Sequence, residues 1–348
     1  MTTTASNPVP DNMRVSVLDH AQTLRVETRL VPIPRHDEVL VRVASVGVCG
    51  SDVHFWLDGR LGDWVVSEPL VLGHESSGTI VGVGAAVPAS RIGERVSIEP
   101  QHPDLTSLES MAGRYNLDPS MRFYATPGVD GAFAEYVTIQ SHFAWAVPDS
   151  VSDDAAALLE PLSVAVATAR KAGFTVSSRV LITGAGPIGI VIAQVARAYG
   201  AREIIVSDIS ATRRAQALQF GATSVIDPLV DDIAQLGLDV DAFVDASGAT
   251  QAVQAGIRSV RAGGVAVLVG MGAPEITLPI SVIQNRELTL TGVFRYANTW
   301  PTAIGLVSSG RVDLDSMVTG HFGLDAVGAA LASTSEPGVL KSVVTPQT

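Results

Sequence analysis

The sequence predicts an α/β protein in two parts, an antiparallel β region followed by a doubly wound parallel sheet. Three observations carry this. Residues 13 to 43 alternate apolar and polar side chains over several short runs, the period of half-buried strands. Residues 179 to 208, RVLITGAGPIGIVIAQVARAYGAREIIVSD, read as strand, glycine-rich turn, helix and strand, one βα unit of a parallel sheet. The chain has 348 residues, which suits two domains at about 100–200 residues each.

Taken in order, MTTTASNPVPDN is a short polar tail expected to be disordered, with neither the basic nor the apolar region of a secretory signal. Arg14-Val15-Ser16-Val17-Leu18, Leu24-Arg25-Val26-Glu27-Thr28 and Glu38-Val39-Leu40-Val41-Arg42-Val43 then alternate as strands. The loop Ser45 to His54 follows and holds the single cysteine, Cys49, between glycines, with Ser51 and His54 close behind. A solitary cysteine is commonly a small core residue, but a hydroxyl and an imidazole flank this one. Leu72-Gly73-His74-Glu75 leads into Gly78-Thr79-Ile80-Val81-Gly82-Val83-Gly84, a glycine-studded strand of a small barrel. Cys49, His74 and Glu75 are a thiolate, an imidazole and a carboxylate, all good zinc ligands, and catalytic zinc commonly takes three protein ligands and keeps one position open.

Residues 153 to 173 read as helix with a break at Pro161. Val180-Leu181-Ile182 is a buried strand, and Gly184-Ala185-Gly186-Pro187-Ile188-Gly189 is a G-x-G-x-x-G opening the helix Ile190 to Tyr199, which Gly200 ends. Gly184 permits the turn, Gly186 lets a pyrophosphate approach, Gly189 lets helix and strand pack, and the helix N-terminus faces the phosphates. Asp208 closes the next strand, where an acid about 20 residues on accepts the ribose hydroxyls. Its charge opposes the 2′-phosphate of NADP; Arg213 and Arg214 pull the other way, but Asp208 stands at the strand end and decides for NAD. Residues 242 to 245, 265 to 270 and 288 to 292 are further buried strands, with Gly263-Gly264 turning before the second of these.

Net charge is −12 with no basic run, which excludes a nucleic-acid backbone as partner. No apolar run approaches the ~18 residues of a membrane span. One cysteine makes an internal disulfide impossible and fits a reducing cytoplasm. The chain shows no internal repeat.

Gly73-His74-Glu75-Ser76-Ser77-Gly78, with Gly84 and Val87 beyond, matches the G-H-E-x2-G-x5-G-x2-V signature, and the chain resembles the zinc-dependent medium-chain dehydrogenases. Gly47 to Trp56, Gly113 to Leu117, Glu160 to Val164 and Gly292 to Thr299 are similar to the sorbitol (polyol) dehydrogenase branch, so the resemblance covers nearly the whole chain. It implies a GroES-like catalytic domain over 1–157, completed by 297–348, and a Rossmann NAD-binding domain over 158–296. It implies a hydride transferred from a secondary alcohol of a small-molecule polyol to NAD, in a cytoplasmic homo-oligomer, a tetramer by resemblance. One catalytic zinc is expected on Cys49, His74 and Glu75, with Glu160 beside it on the metal's water or the substrate.

Ser51 and His54 would pass a proton out through the cofactor ribose, or a water on Glu160 would take it. Phe55, Arg295 and Tyr296 match substrate-contacting positions, Phe55 standing where many relatives have tyrosine. Arg213 would lie by the adenosine, and Val269, Gly270, Met271, Val293, Phe294 and Arg295 by the cofactor. Residues 101 to 125 lack the four cysteines that hold a structural zinc in many relatives; His102 cannot replace them, so no second metal is expected. The alternatives are a threonine-like or 2,3-butanediol-like alcohol as substrate, a zinc-free reductase, against which the three ligands argue and which metal analysis decides, and a non-enzymatic binding protein, which would be expected to lose the ligands or the fingerprint.

Overall fold

The computed structural model describes residues 9–348. The first eight residues of the polar tail lie outside them, and Asn12 already begins a strand. Contacts divide the chain into two compact units, residues 1–103, 120–160 and 318–348 in the first and 104–119 with 161–317 in the second.

The first unit is built around the strand Glu38–Gly47, which pairs antiparallel with Glu75–Val83, Tyr136–Gln140 and Lys341–Thr345 inside a seven-stranded sheet. Val39, Val41 and Val43 are fully buried while Arg42 between the last two is exposed, which favours this register, since a slip by one residue would turn Arg42 inward. That register sets Gly47 opposite Glu75, and the third strand sets Val343 opposite Gly47. Three chain segments far apart in sequence thus end at one corner of the sheet. A Cβ on Gly47 would stand 2.1 Å from Glu75 Oε2, so glycine leaves the space this carboxylate fills.

The second unit holds a six-stranded parallel sheet, in space Ser224–Ile226, Glu203–Ser207, Arg179–Thr183, Val240–Asp245, Val260–Leu268 and Thr289–Gly292. Numbered along the chain this is the doubly wound order 3-2-1-4-5-6, whose direction reverses after the first strand. Leu181, Ile205, Phe243, Val260 and Ala266 form its core.

Three expectations are corrected. The helical break falls at Leu158, between Asp153–Ala157 and Leu159–Ala172, and Pro161 sits in the first turn of the second helix, where its missing N–H costs nothing. The glycine-rich helix starts at Pro187, not Ile190. Gly263-Gly264 lies within Val260–Leu268, in a shift of register that jumps from Val260 to Val265 against the neighbouring strand.

The contact units divide at 160/161 and 317/318, a few residues after the first expected boundary, 157/158, and some twenty after the second, 296/297. Residues 297–317 stay with the second unit because Arg170 donates to the Asn298 carbonyl (2.9 Å) and Gln194 to the Asp313 carbonyl (3.0 Å). Segment 104–119 joins them because Asn116 donates to the Phe294 carbonyl (2.8 Å) and Asn298 to the Gly113 carbonyl (2.9 Å).

Candidate functional site

At the sheet corner of the first unit, the ligand atoms of Cys49, His74 and Glu75 lie within 4.8 Å of one another. Cys49 follows the strand Glu38–Gly47 and is the N-cap of the helix Gly50–Asp58. Asp52, fully buried in the first turn, accepts from the Cys49 N–H (3.0 Å) and the Gly73 N–H (2.9 Å), and its Oδ1 lies 3.6 Å from His74 Nδ1. Burial alone would raise the Asp52 pKa; His74 and the two backbone donors outweigh it and hold the carboxyl below its usual range. Burial likewise opposes charge on His74, yet Cys49 and Asp52 draw its pKa well above the ordinary value. Surroundings that favour a proton on His74 also favour a cation.

Glu75 Oε1 accepts from Lys341 Nζ at 2.6 Å, and Lys341 also donates to the Val48 carbonyl at 2.7 Å. Both partners are almost wholly buried, 1 % and 3 % exposed. Burial would lower the Lys341 pKa, but Glu75, Cys49 and Glu160 together raise it. Glu75 Oε2 is buried with no hydrogen-bond partner. An orphaned carboxylate oxygen beside a thiol and an imidazole fits a zinc ion, whose ligands are sulfur, nitrogen and oxygen of these kinds.

Ser51 is half-buried on the same helix, and Phe55 is 2 % exposed. His54 is open to solvent, its Nδ1 3.3 Å from Asp58 Oδ2. Glu160, expected beside the metal, is buried, and its charge reaches Lys341. Sequence reasoning missed Asp52 and Lys341. Asp52 carried a signal, an acid three residues after a helix-capping position. Lys341 carried a weaker one, a charge in the otherwise apolar run Val339 to Val344.

In the second unit, Gly184 has φ +93, and a Cβ on Gly189 would lie 1.8 Å from the Gly184 carbonyl oxygen, so neither tolerates another residue. A Cβ on Gly186 would meet nothing within 4 Å, which leaves its outer side open for a ligand. Pro187 and Ile188 form the first turn of the helix above. Asp208 Oδ2 accepts from the Ala185 N–H and Oδ1 from the Ser210 N–H, both at 2.8 Å. Each oxygen retains a lone pair for a ribose hydroxyl. Gly184, Gly186, Asp208 and Arg213 line one cleft of about 830 Å³. Arg214 donates to the Asp208 carbonyl (2.7 Å) and pairs with Asp227 (2.8 Å), so it is spent internally.

The Val269 and Gly270 N–H groups both donate to the Asp245 carbonyl at 2.9 Å, and Met271 is exposed. The Val293 N–H donates to Leu268, which leads the chain into Phe294, half exposed, and Arg295, at φ +55 with its guanidinium 4.8 Å above the Phe294 ring. Tyr296 is 1 % exposed and packs edge-on against Trp300, ring centroids 5.1 Å apart.

Comparison with known proteins agrees with both halves. The alcohol dehydrogenase GroES-like domain matches residues 35–149 and the zinc-binding dehydrogenase family residues 187–309. Sorbitol dehydrogenase of Gallus gallus is 41% identical over 91% of this chain and 92% of its own length. Sorbitol dehydrogenase of Bacillus subtilis is 38% identical over 98% and 99%. An alcohol dehydrogenase of Escherichia coli CFT073, solved with NADH, superposes with a TM-score of 0.90 at 27% identity, covering 97% of this chain and 100% of that one.

Proposed function

This chain belongs to the zinc-binding dehydrogenase family, in its sorbitol dehydrogenase branch, and on that premise we propose that it oxidises a secondary alcohol of a sorbitol- or xylitol-like polyol to a ketose, with NAD as hydride acceptor. The observation that carries the chemistry is the convergence of Cys49, His74 and Glu75 around the orphaned Glu75 oxygen.

Cys49, His74 and Glu75 would hold one zinc per chain. When bound, zinc supplies Lewis acidity that lowers an alcohol's pKa, as it brings water from 15.7 to about 7, and the nicotinamide supplies the hydride acceptor. The protein's own part is positional. Asp52 beside Nδ1 would leave Nε2 of His74 free for a metal, and Lys341, which holds one oxygen of Glu75, would leave the other for it. The proton released at the alcohol oxygen would leave through Ser51 and, by way of the cofactor ribose, His54, whose side chain is exposed; a water on Glu160, which is buried within the field of Lys341, is the other route. Asp208 would hold the ribose diol and select NAD over NADP. No helix among the described residues is long and apolar enough to cross a membrane. A cytoplasmic homotetramer is the assembly the branch suggests, and sedimentation tests it.

The burial of Tyr296 and the loss of a phenol at Phe55 favour a second reading, a less hydroxylated alcohol of the 2,3-butanediol kind. Metal analysis of dialysed protein, with NAD reduction measured over alditols, 2,3-butanediol, threonine and 2-butanol, separates the two. About one zinc per chain and the highest kcat/KM on an alditol are expected. A preference for 2-butanol over every alditol would overturn the polyol assignment, and absence of zinc would overturn the chemistry.

A further inference from the structure

The first unit carries a second cleft, about 360 Å³, whose lining includes neither zinc ligand nor relay residue. Ligand pockets commonly start near 300 Å³. Two of its walls are basic in a chain whose net charge is −12. Arg35 precedes the strand Glu38–Gly47, and Arg122 stands opposite His102 in the short antiparallel pair of Gln101–His102 with Arg122–Phe123. Among the described residues neither guanidinium has a hydrogen bond or ion pair.

The other charges of the cleft are already engaged. Arg29 pairs with Asp130 at 2.8 Å, and the second oxygen of Asp130 accepts from the Val71 N–H. Glu38 accepts from the Arg35 backbone N–H at 2.9 Å. Arg29 also pairs with Glu27 at 2.6 Å, so Arg35 and Arg122 are the guanidiniums of the lining left to an incoming anion. His102 registers that field: burial first, then Arg122 and Arg35, against Asp37 and a bond from Gln140, bring its pKa down to about 4. It stands neutral at physiological pH, an imidazole able to donate a hydrogen bond without adding charge. The remaining wall is apolar, made by Met13, Pro32, Ile33 and Val129, and Ile33 is 89 % exposed.

We propose that this cleft binds a small organic carboxylate, its head between Arg35 and Arg122 and its apolar body against Pro32, Ile33 and Val129. Guanidinium forks match a carboxylate in two parallel bonds, and the apolar wall distinguishes such a ligand from a bare inorganic anion. The assignment does not rest on the proposed catalytic reading.

Calorimetric titration of the zinc- and NAD-loaded enzyme with hexanoate, hexanamide and inorganic phosphate tests it. Hexanoate should bind saturably, hexanamide not detectably, and phosphate more weakly than hexanoate. Arg35→Ala and Arg122→Ala should each weaken hexanoate roughly tenfold or more, Arg122→Lys less, with polyol turnover and melting temperature unchanged because both side chains are exposed. If hexanoate binds the two alanine variants as tightly as wild type, it is held elsewhere, at the metal for instance, and the site is refuted. No saturable binding, or phosphate equal to hexanoate, refutes it as well.

Discussion

The zinc corner and the glycine-rich turn are built on opposite principles. The turn is local: one stretch, Arg179 to Asp208, supplies strand, loop, helix and acid, and Gly184 and Gly189 each have their own steric reason. The corner is assembled from Cys49, His74, Glu75, Glu160 and Lys341: the pairing of Glu38–Gly47 with two antiparallel neighbours brings Glu75 and Lys341 to it, and Glu160 comes from the helix Leu159–Ala172. The two also differ in how they hold charge. The corner buries Asp52, His74, Glu75, Glu160 and Lys341 in a mutually dependent group, whereas the turn relies on backbone donors and one carboxylate. Damage should therefore spread through the corner and stay local in the turn.

The largest effect should follow removal of the thiolate. Cys49→Ser offers a hydroxyl, a poor zinc ligand beside Glu75 and His74, and tight metal binding and turnover should both be abolished. Elemental analysis after dialysis, with a parallel activity assay, reads both. A variant that retains a full complement of zinc would remove Cys49 from the ligand set.

Lys341→Ala probes the interdependence itself. It leaves the buried Glu75 carboxylate without its cation, and breaking a buried pair costs about 3–5 kcal/mol. Unfolding of the apo protein in urea should show that loss, and added zinc should restore a part of it by compensating the same charge. An unchanged midpoint would mean that Glu75 does not need Lys341.

Acid should also act on the first unit. His102 is depressed in the folded state to about 4 from 6.5. Between those values the unfolded chain binds more protons, so stability is complete above about 6.5 and falls as pH drops toward 4. At 1.36 kcal/mol per pH unit the loss is bounded at roughly 3 kcal/mol. His102→Gln should flatten stability over this window, measured by urea unfolding at several pH values. Equal slopes in both proteins would assign the acid sensitivity to other groups.

In the turn, Asp208→Asn keeps the size and removes the charge. Hydrogen bonds to a charged acceptor are worth about 1.5–3 kcal/mol, so kcat/KM for NAD should fall roughly ten- to a hundredfold while that for NADP holds or rises. Zinc content should not change, which separates this local damage from the corner variants. A wild-type enzyme already favouring NADP would reverse the role of Asp208.

What could be read from the chain alone follows the same division. The parallel sheet and cofactor loop were legible because strand, glycines, helix and acid are contiguous, and local sterics alone dictate them. The candidate metal ligands could be picked out as residue types, the family signature tied them together, and the structure sets their ligand atoms within 4.8 Å of one another. Asp52 and Lys341 were not read, because a charge that serves by touching another charge has no period or spacing of its own. The extent of the contact units has a related cause: hydrogen bonds from Asn116 and Gln194 to distant carbonyls hold 104–119 and 297–317 to the second unit, and those carbonyls leave no mark on the sequence.

The smallest effect should come from Arg295, which belongs to neither the corner nor the turn. Its backbone sits at φ +55, a conformation uncommon outside glycine, on a segment tied down by the bond from Asn116 to Phe294. Such a pinned, unfavourable conformation occurs where a side chain must point one way. If it points at substrate, Arg295→Ala should cost a polyol about 0.5–1.5 kcal/mol per hydrogen bond lost and leave 2-butanol, with no second hydroxyl to hold, nearly untouched. Loss confined to kcat/KM on the polyol would make Arg295 a specificity residue. Equal losses on both alcohols would make it structural, with the guanidinium over Phe294 as its whole function. Arg295→Gly separates strain from contact, since glycine accepts the left-handed backbone without cost. It should gain stability relative to Arg295→Ala while losing the polyol equally, and a glycine variant that recovered polyol turnover would show that only the backbone mattered.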